Sequence, residues 1–354
     1  MRDVVLLVLG ALAVVIATEC YSKGKAKYVA FTSGRDLASS KVSDDPRRHA
    51  QNIVEFFGRR ALSDRLYRTA STSESRTLPI LPDLSERFVG PLDVESDWPL
   101  SVSRSPRHEL SVDDRVMARA KRRGVELWDG TILYASGWDA SASRLSVARG
   151  NYFSYVSFGD RVLRESDSSS GKKPYLEATD QLSRALQSTH GPTVLAAATT
   201  CVFESAQGPV TVLHQRSSRV VNARGMRAVT PVHGIEPNFS GTETSRYGVV
   251  AYNVFKEILE EFFGVDEIKY NNDKPHAPHP DWIFSTGSGE TLVAELHSGR
   301  LLLSCDGACI DLSDGGLILA VTAHFLDPAF LERLKVQARG SEEASWVDGR
   351  RLSF

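Results

Sequence analysis

The spacing of hydrophobic and polar positions changes several times along the chain, and each change predicts an element. Val4 to Thr18, "VVLLVLGALAVVIAT", is an uninterrupted apolar run. At about fifteen residues it is shorter than the roughly 17 to 25 of a perpendicular helical span, so it crosses a bilayer only with help from Met1 and from Cys20 to Tyr21. Past it, "KYVAFTSGRD" reads as a strand running into a glycine turn, and "DDPRRHAQNIVEFFGRRALSDRLYR" as a helix broken at Gly58. "RTLPILPDL" suits a short strand. From Ser71 to Arg107 the chain is rich in Ser, Pro and Asp without steady periodicity, which predicts loop or linker.

A sharper pattern begins at Ser111. In "SVDDRVMARAKRRG" Ser111 is placed as an N-cap, Asp113 and Asp114 fall in the first turn, and basic residues end at Gly124. That is the charge order a helix dipole favours. "VELWDGTILYASGWDASASRLSVARGNYFSYVSF" alternates around turn residues and predicts two or three strands, and "YLEATDQLSRALQSTHG" predicts a helix. After Gly191 and Pro192, "TVLAAATTCVFES", "AQG" and "PVTVLHQRSS" read as strand, turn, strand. "MRAVTPVHGIEP" adds a strand and loop, and "NVFKEILEEFFG" a helix. A Pro- and His-rich loop then leads to strands "TLVAEL", "RLLLSC" and "LILAVTAHFL" and a helix "PAFLERLKVQA". The order of strands, helix, strands, helix predicts an α+β fold on a mixed or antiparallel sheet.

Composition adds bounds to this picture. The chain has 354 residues, 42% of them hydrophobic, enough for two globular domains. A formal charge of −2 leaves no global attraction for polyanions, so no nucleic-acid partner is expected. Four cysteines are too few for a disulfide scaffold. Cys305 and Cys309 form a C-x3-C without a second ligand pair at zinc spacing, so two buried or half-buried thiols near a turn is the simpler reading. His49, His108 and His190 stand alone, which suits surface or packing roles. Around the apolar run, Arg2 is offset by Asp3 while Lys23, Lys25, Lys27 and Arg35 follow, a bias that places the C-terminal side in the cytoplasm of a single-pass cell-membrane protein. A cleaved signal peptide is the competing reading, since Val15 and Ala17 are tolerable small residues for a cleavage site.

Candidate chemistry gathers in the helix at 253 to 264. Glu257, Glu260 and Glu261 fall within an arc of about 100°, with Phe255, Ile258, Leu259 and Phe262 opposite. The spacing predicts a sheet-facing stripe and a solvent-facing acidic one. Either the acids are an ordinary solvated face, or they hold a divalent cation that takes oxygen ligands.

"KEILEE" followed closely by a glycine resembles the helical half of the Nudix box, and "VLHQRSSRVVNARGMRAVTPVHGIEPN" resembles the sheet and glycine loop before it. The resemblance covers about residues 193 to 335. It implies a Nudix-like mixed sheet packed between helices, with Glu257, Glu260 and Glu261 as catalytic and metal-binding acids for Mg²⁺ or Mn²⁺, and Gly234 and Lys256 as substrate-binding residues. This chain departs from the pattern in three ways. The loop from Gly234 to Lys256 is longer, with Ser240 where an acid belongs and Glu243 the nearest candidate; Lys256 replaces Arg; and Phe263 is inserted before Gly264. Trp128, Asp129, Gly130 and Tyr152 resemble the region before the box in larger Nudix proteins related to UDP-sugar hydrolases, although a generic β-meander reads the same way.

The expected organisation is a membrane helix at 1–22, a small α/β region and linker at 28–110, an extension of the Nudix domain at 111–190 and the Nudix-like domain at 191–354. The resemblance implies metal-dependent hydrolysis of a nucleoside diphosphate linked to another group, with Glu295 as a candidate further base. The same architecture also resembles membrane-anchored effectors of nucleotide-activated antiphage defence, which implies a nucleotide sensor that binds without cleaving. Either leaves room for a homo-oligomer. Basic triplets at 122–124 and 349–351 could touch phosphates or lipid headgroups, but short basic runs are usually just solvated.

Overall fold

The structure, a computed structural model, describes residues 46–58, 66, 80–81, 88–106, 114, 116, 130–139, 144–167, 177, 193–216, 227–240, 242–265, 279–313, 315–337 and 344–347. The apolar run at 4 to 18, the strand expected over 27–36, Trp128, Asp129, His108, His190 and both basic triplets lie outside the described residues, and of the helix expected over 175–191 only Glu177 is described, and it is helical. Of the helix expected over 111–124, Asp114 and Val116 are described, and both are helical. Among the described residues no helix is long and apolar enough to cross a membrane.

In chain order the first elements are α1 (Pro46–Gly58), β1 (Ile80–Leu81), β2 (Val89–Pro91), β3 (Leu100–Pro106), β4 (Thr131–Asp139), β5 (Arg144–Asn151) and α2 (Tyr152–Asp167). Then come β6 (Leu195–Phe203), β7 (Val210–Thr211), β8 (Leu213–Arg216), β9 (Arg227–Val229), β10 (Val232–Gly234), β11 (Phe239–Ser240), β12 (Glu243–Thr244) and α3 (Val249–Phe263). A 3-10 helix (Pro280–Ser285), α4 (Gly287–His297), β13 (Leu301–Asp311), β14 (Gly316–Phe325), α5 (Phe330–Gln337) and β15 (Ala344–Val347) complete the described chain. The fold is α+β, with mixed sheets and several helices.

Its centre is a seven-stranded sheet in the order β1-β13-β14-β6-β10, with β2 also on β13 and β7 also on β6. β13 and β14 form an antiparallel hairpin with a bulge between Cys305 and Gly307, and β6 runs parallel to β14 from the Leu317–Leu195 pair to Phe325–Phe203. β6 reads as a near-continuous small and apolar run because it is flanked by a strand on each side. A three-stranded sheet, β3-β5-β4, adjoins this edge: Leu133 N donates to Ile235 O at 2.8 Å and Ala135 N to Thr193 O at 2.9 Å.

α3 packs on β6, and it is buried almost all the way round. Every residue from Val249 to Lys256 is buried, as are Ile258, Leu259, Phe262 and Phe263. Phe262 meets Phe203 edge-on at 6.3 Å, while Phe284 sits edge-on to Tyr247, Tyr252 and Phe255 at 4.8, 5.9 and 6.3 Å. Each such side chain contributes about 1.5–3 kcal/mol of burial, and edge-to-face pairs add to it. Two glycines set the limits of α3. Gly264 stops it with φ +62°, a left-handed conformation that side chains disfavour. At the other end Gly248 lets the chain pass the loop at Ser96, where a Cβ would lie 1.9 Å from Ser96 O. Asp97 Oδ1 accepts the Val249 amide at 2.9 Å, so the N-terminus of α3 is already covered.

Three expectations are corrected. "TLVAEL" is helical, within α4: Thr286 caps it by accepting from Gly289 N at 3.0 Å, and a six-residue apolar run cannot by itself distinguish buried strand from buried helix. "NYFSYVSF" starts α2 rather than ending in a strand, with Asn151 Oδ1 accepting from Ser154 N at 3.3 Å in the manner of a cap. The stretch from Ser71 to Arg107, expected as loop or linker apart from the short strand at "RTLPILPDL" where β1 lies, also supplies β2 and β3 and buries Phe88, Leu92 and Leu100. A strand of three residues such as β2 is too short to show a period, and the seven of β3 are mostly Ser and Pro around Leu100 and Val102.

Candidate functional site

The candidate site forms where α3 faces the loop after β10. Asn253, fully buried one turn before Lys256, holds that loop in place: its Oδ1 accepts from Glu236 N at 2.9 Å and its Nδ2 donates to Glu236 O at 2.8 Å. Satisfying both backbone groups of one residue fixes where the Glu236 side chain emerges. Its carboxylate then lies 3.6 Å from the Lys256 ammonium. Glu257 Oε1 is 3.6 Å from the same nitrogen and Glu260 Oε2 is 3.2 Å away, so three carboxylates surround one buried cation. Glu261 turns the other way and accepts from the Thr230 hydroxyl, beside Cys201.

The acidic arc is therefore not solvent-facing, contrary to the sequence expectation. The side chains of Glu257 and Glu260 are only 15% and 13% exposed. An isolated helix wheel cannot reveal the strand and loop that cover its polar side. The crowding has an electrostatic consequence: burial raises the carboxyl pKa of Glu257 well above its ordinary value, and its acidic neighbours Glu260, Glu261 and Glu236 push the same way against the opposing pull of Lys256. On β10, His233 is buried with both ring nitrogens enclosed and without a hydrogen-bond partner. Burial, with the nearby Lys256 charge, lowers its pKa to about 3.

Each remaining expected residue has a definite place. Gly234 ends β10, and a Cβ there would meet only Ile132 Cγ2 at 3.6 Å, an ordinary contact. Glu243, the nearest loop acid by spacing, is 64% exposed and lies 3.6 Å from His279; the loop acid that reaches α3 is Glu236. Glu295 is on α4 rather than a strand and is not placed to act as a base. Arg300 Nε and Nη2 grip its carboxylate at 2.9 and 3.2 Å, and Arg333 Nη2 joins at 3.0 Å. Cys305 and Cys309 are buried inside β13 rather than at a turn, and burial pushes the Cys305 thiol up to about 12. His49 is buried between α1 and α2, 3.2 Å from Ser166 and 3.5 Å from Asp167. Glu236, Asn253, His233 and Thr230 were not singled out from sequence. A buried Asn in an otherwise apolar helix face was the one available hint.

Four carboxylates against one ammonium make a donor set of hard oxygens, which suits Mg²⁺ or Mn²⁺ in kind. Their present orientation follows Lys256 and Thr230: among the described residues, no group of three or more His, Cys, Asp or Glu side chains is arranged to hold a metal ion. No protein-family model and no curated protein matches the chain.

Proposed function

We propose that this is a membrane-anchored Nudix-like protein that hydrolyses a nucleoside diphosphate linked to another group, with the acids of α3 as its metal-dependent centre. The observation that carries the reading is the charge imbalance on α3. Glu236, Glu257, Glu260 and Glu261 crowd a largely buried region around a single Lys256, and burial first, with the neighbouring acids behind it, raises the Glu257 pKa. Glu257, Glu260 and Glu261 would hold the cation, with Lys256 and Glu236 orienting them. A bound divalent ion supplies neutralisation of the diphosphate and a more acidic attacking water. The chain's own part is to keep the carboxylates crowded, half dry and anchored through Asn253.

A second reading has its own support. The Lys256 ammonium is a built-in counter-ion lying among the acids, which suits a pocket that binds a nucleotide without cleaving it, as a sensor or effector at the membrane. One assay separates the two: release of nucleoside monophosphate from UDP-sugars, ADP-ribose and dinucleotides with Mg²⁺ or Mn²⁺. Hydrolysis predicts turnover that Glu260→Gln lowers by about 10²- to 10³-fold. Tight binding with no turnover above the variant establishes the sensor, and neither binding nor turnover rejects both readings.

A further inference from the structure

The loop that carries Glu236 also meets a guanidinium that has no carboxylate partner among the described residues. Arg149 lies on β5 opposite Leu133 of β4. The Leu133 amide is bonded to Ile235 O, which ties this strand pair to the loop that carries Glu236. Three residues beyond Glu236, the ring of Phe239 lies under Arg149, whose Cζ is 5.7 Å from the ring centroid. One short loop thus touches Lys256 through Glu236 and Arg149 through Phe239.

Other arginines show what is missing. Arg164 has Asp160 at 3.1 Å, Arg300 has Glu295 at 2.9 Å and Arg333 has Asp327 at 2.8 Å. Among the described residues Arg149 has no such carboxylate, and its Nε is enclosed without a hydrogen-bond partner. An enclosed guanidinium Nε with no acceptor is unfavourable, and the aromatic face satisfies only the cation's flat side. Among the described residues no carboxylate takes the in-plane N–H groups, which fork onto phosphate or carboxylate.

We infer that Arg149 is the phosphate clamp of the nucleotide site, presented by Phe239, and that the ligand is a diphosphate spanning Arg149 and the α3 acids. This rests on the nucleotide reading above and adds to it. The diphosphate is the ligand class already proposed; what is added is the residue that grips it. It also makes β5 part of the site.

The test is calorimetric titration of the full-length protein in detergent with ADP, AMP, ADP-ribose and UDP-glucose in Mg²⁺. Wild type should take at least one diphosphate more tightly than AMP. Arg149→Met should weaken that diphosphate by about ten- to a hundredfold, while leaving unchanged the rise in thermal midpoint that Mg²⁺ alone should give by relieving repulsion among the α3 acids. Arg149→Lys, which keeps the charge and the stem but not the fork, should recover part of the loss. If Arg149→Met does not fold, a Lys variant that binds the diphosphate like wild type overturns the clamp. Equal diphosphate binding by wild type and a folded Arg149→Met also overturns it, and leaves the nucleotide reading standing. If wild type binds none of the four probes, the nucleotide reading fails and the clamp with it.

Discussion

A histidine that titrates near pH 3 is a liability in acid. In the unfolded chain His233 takes a proton below its ordinary value of 6.5, whereas in the fold it stays neutral down to about 3. The folded pKa of this base is depressed, so stability is complete above about 6.5 and is lost as pH falls toward 3, by about 1.4 kcal/mol per unit. His233→Phe removes the titration without stranding a polar partner, since both ring nitrogens lack one. Relative to its pH 7.5 value, the variant should gain roughly 2 kcal/mol on wild type at pH 5 in urea unfolding. Parallel pH profiles would show that the imidazole is hydrated. Glu257 runs the opposite way: its raised pKa means stability is full below the ordinary carboxyl value of 4.5 and falls as pH rises through the folded value, a loss that Glu257→Gln should abolish. At this scale the sequence was legible where chemistry repeats locally. Glu257, Glu260 and Glu261 declare themselves by helical spacing, whereas Lys256 was named only through the resemblance. Glu236 and His233 do not, because a strand and loop are brought to α3 only by tertiary folding.

Single elements were legible when long and periodic. α3, β6, β13, β14 and α5 could all be read from spacing, since burial of one face or of a whole central strand writes itself into many consecutive residues. α4, β2 and β3 could not, because caps and pairing partners decided them. The start of α3 offers a clean experiment. Gly248 has φ −58°, which any residue adopts, so only space forbids a side chain there. Gly248→Ala must push the Ser96 backbone aside, and should cost more than about 2 kcal/mol by the measure of overpacked cores. Asp97→Ala loses one capping bond, worth about 1 kcal/mol. Urea midpoints should therefore rank wild type, Asp97→Ala, Gly248→Ala in falling order. The reverse ranking would mean that the loop at Ser96 does not close over the helix.

At the scale of the whole molecule, the N-terminal run carries its own expected outcome. Full-length protein should sediment with membranes and resist carbonate extraction, from the Val4 to Thr18 run and the lysines after it. A soluble form cleaved near Ala17 and found outside the cytoplasm would instead establish a signal peptide. The α+β class was legible because the order of strong elements is enough to set it. The sheet's edges were not, since β1 and β2 join it from far away in sequence: Ile80 pairs with Asp311 and Gly90 with Cys305. That pairing sets a timetable for biosynthesis. The partners of β1 and β2 are synthesised last, and at ~5–20 residues per second the wait is on the order of tens of seconds. Through that interval the nascent chain presents unpaired strands together with Phe88, Leu92 and Leu100, side chains that the finished protein hides. Holdase supply during synthesis, more than final stability, should then limit yield, and a chain cut short before Phe325 should aggregate rather than fold as a smaller unit.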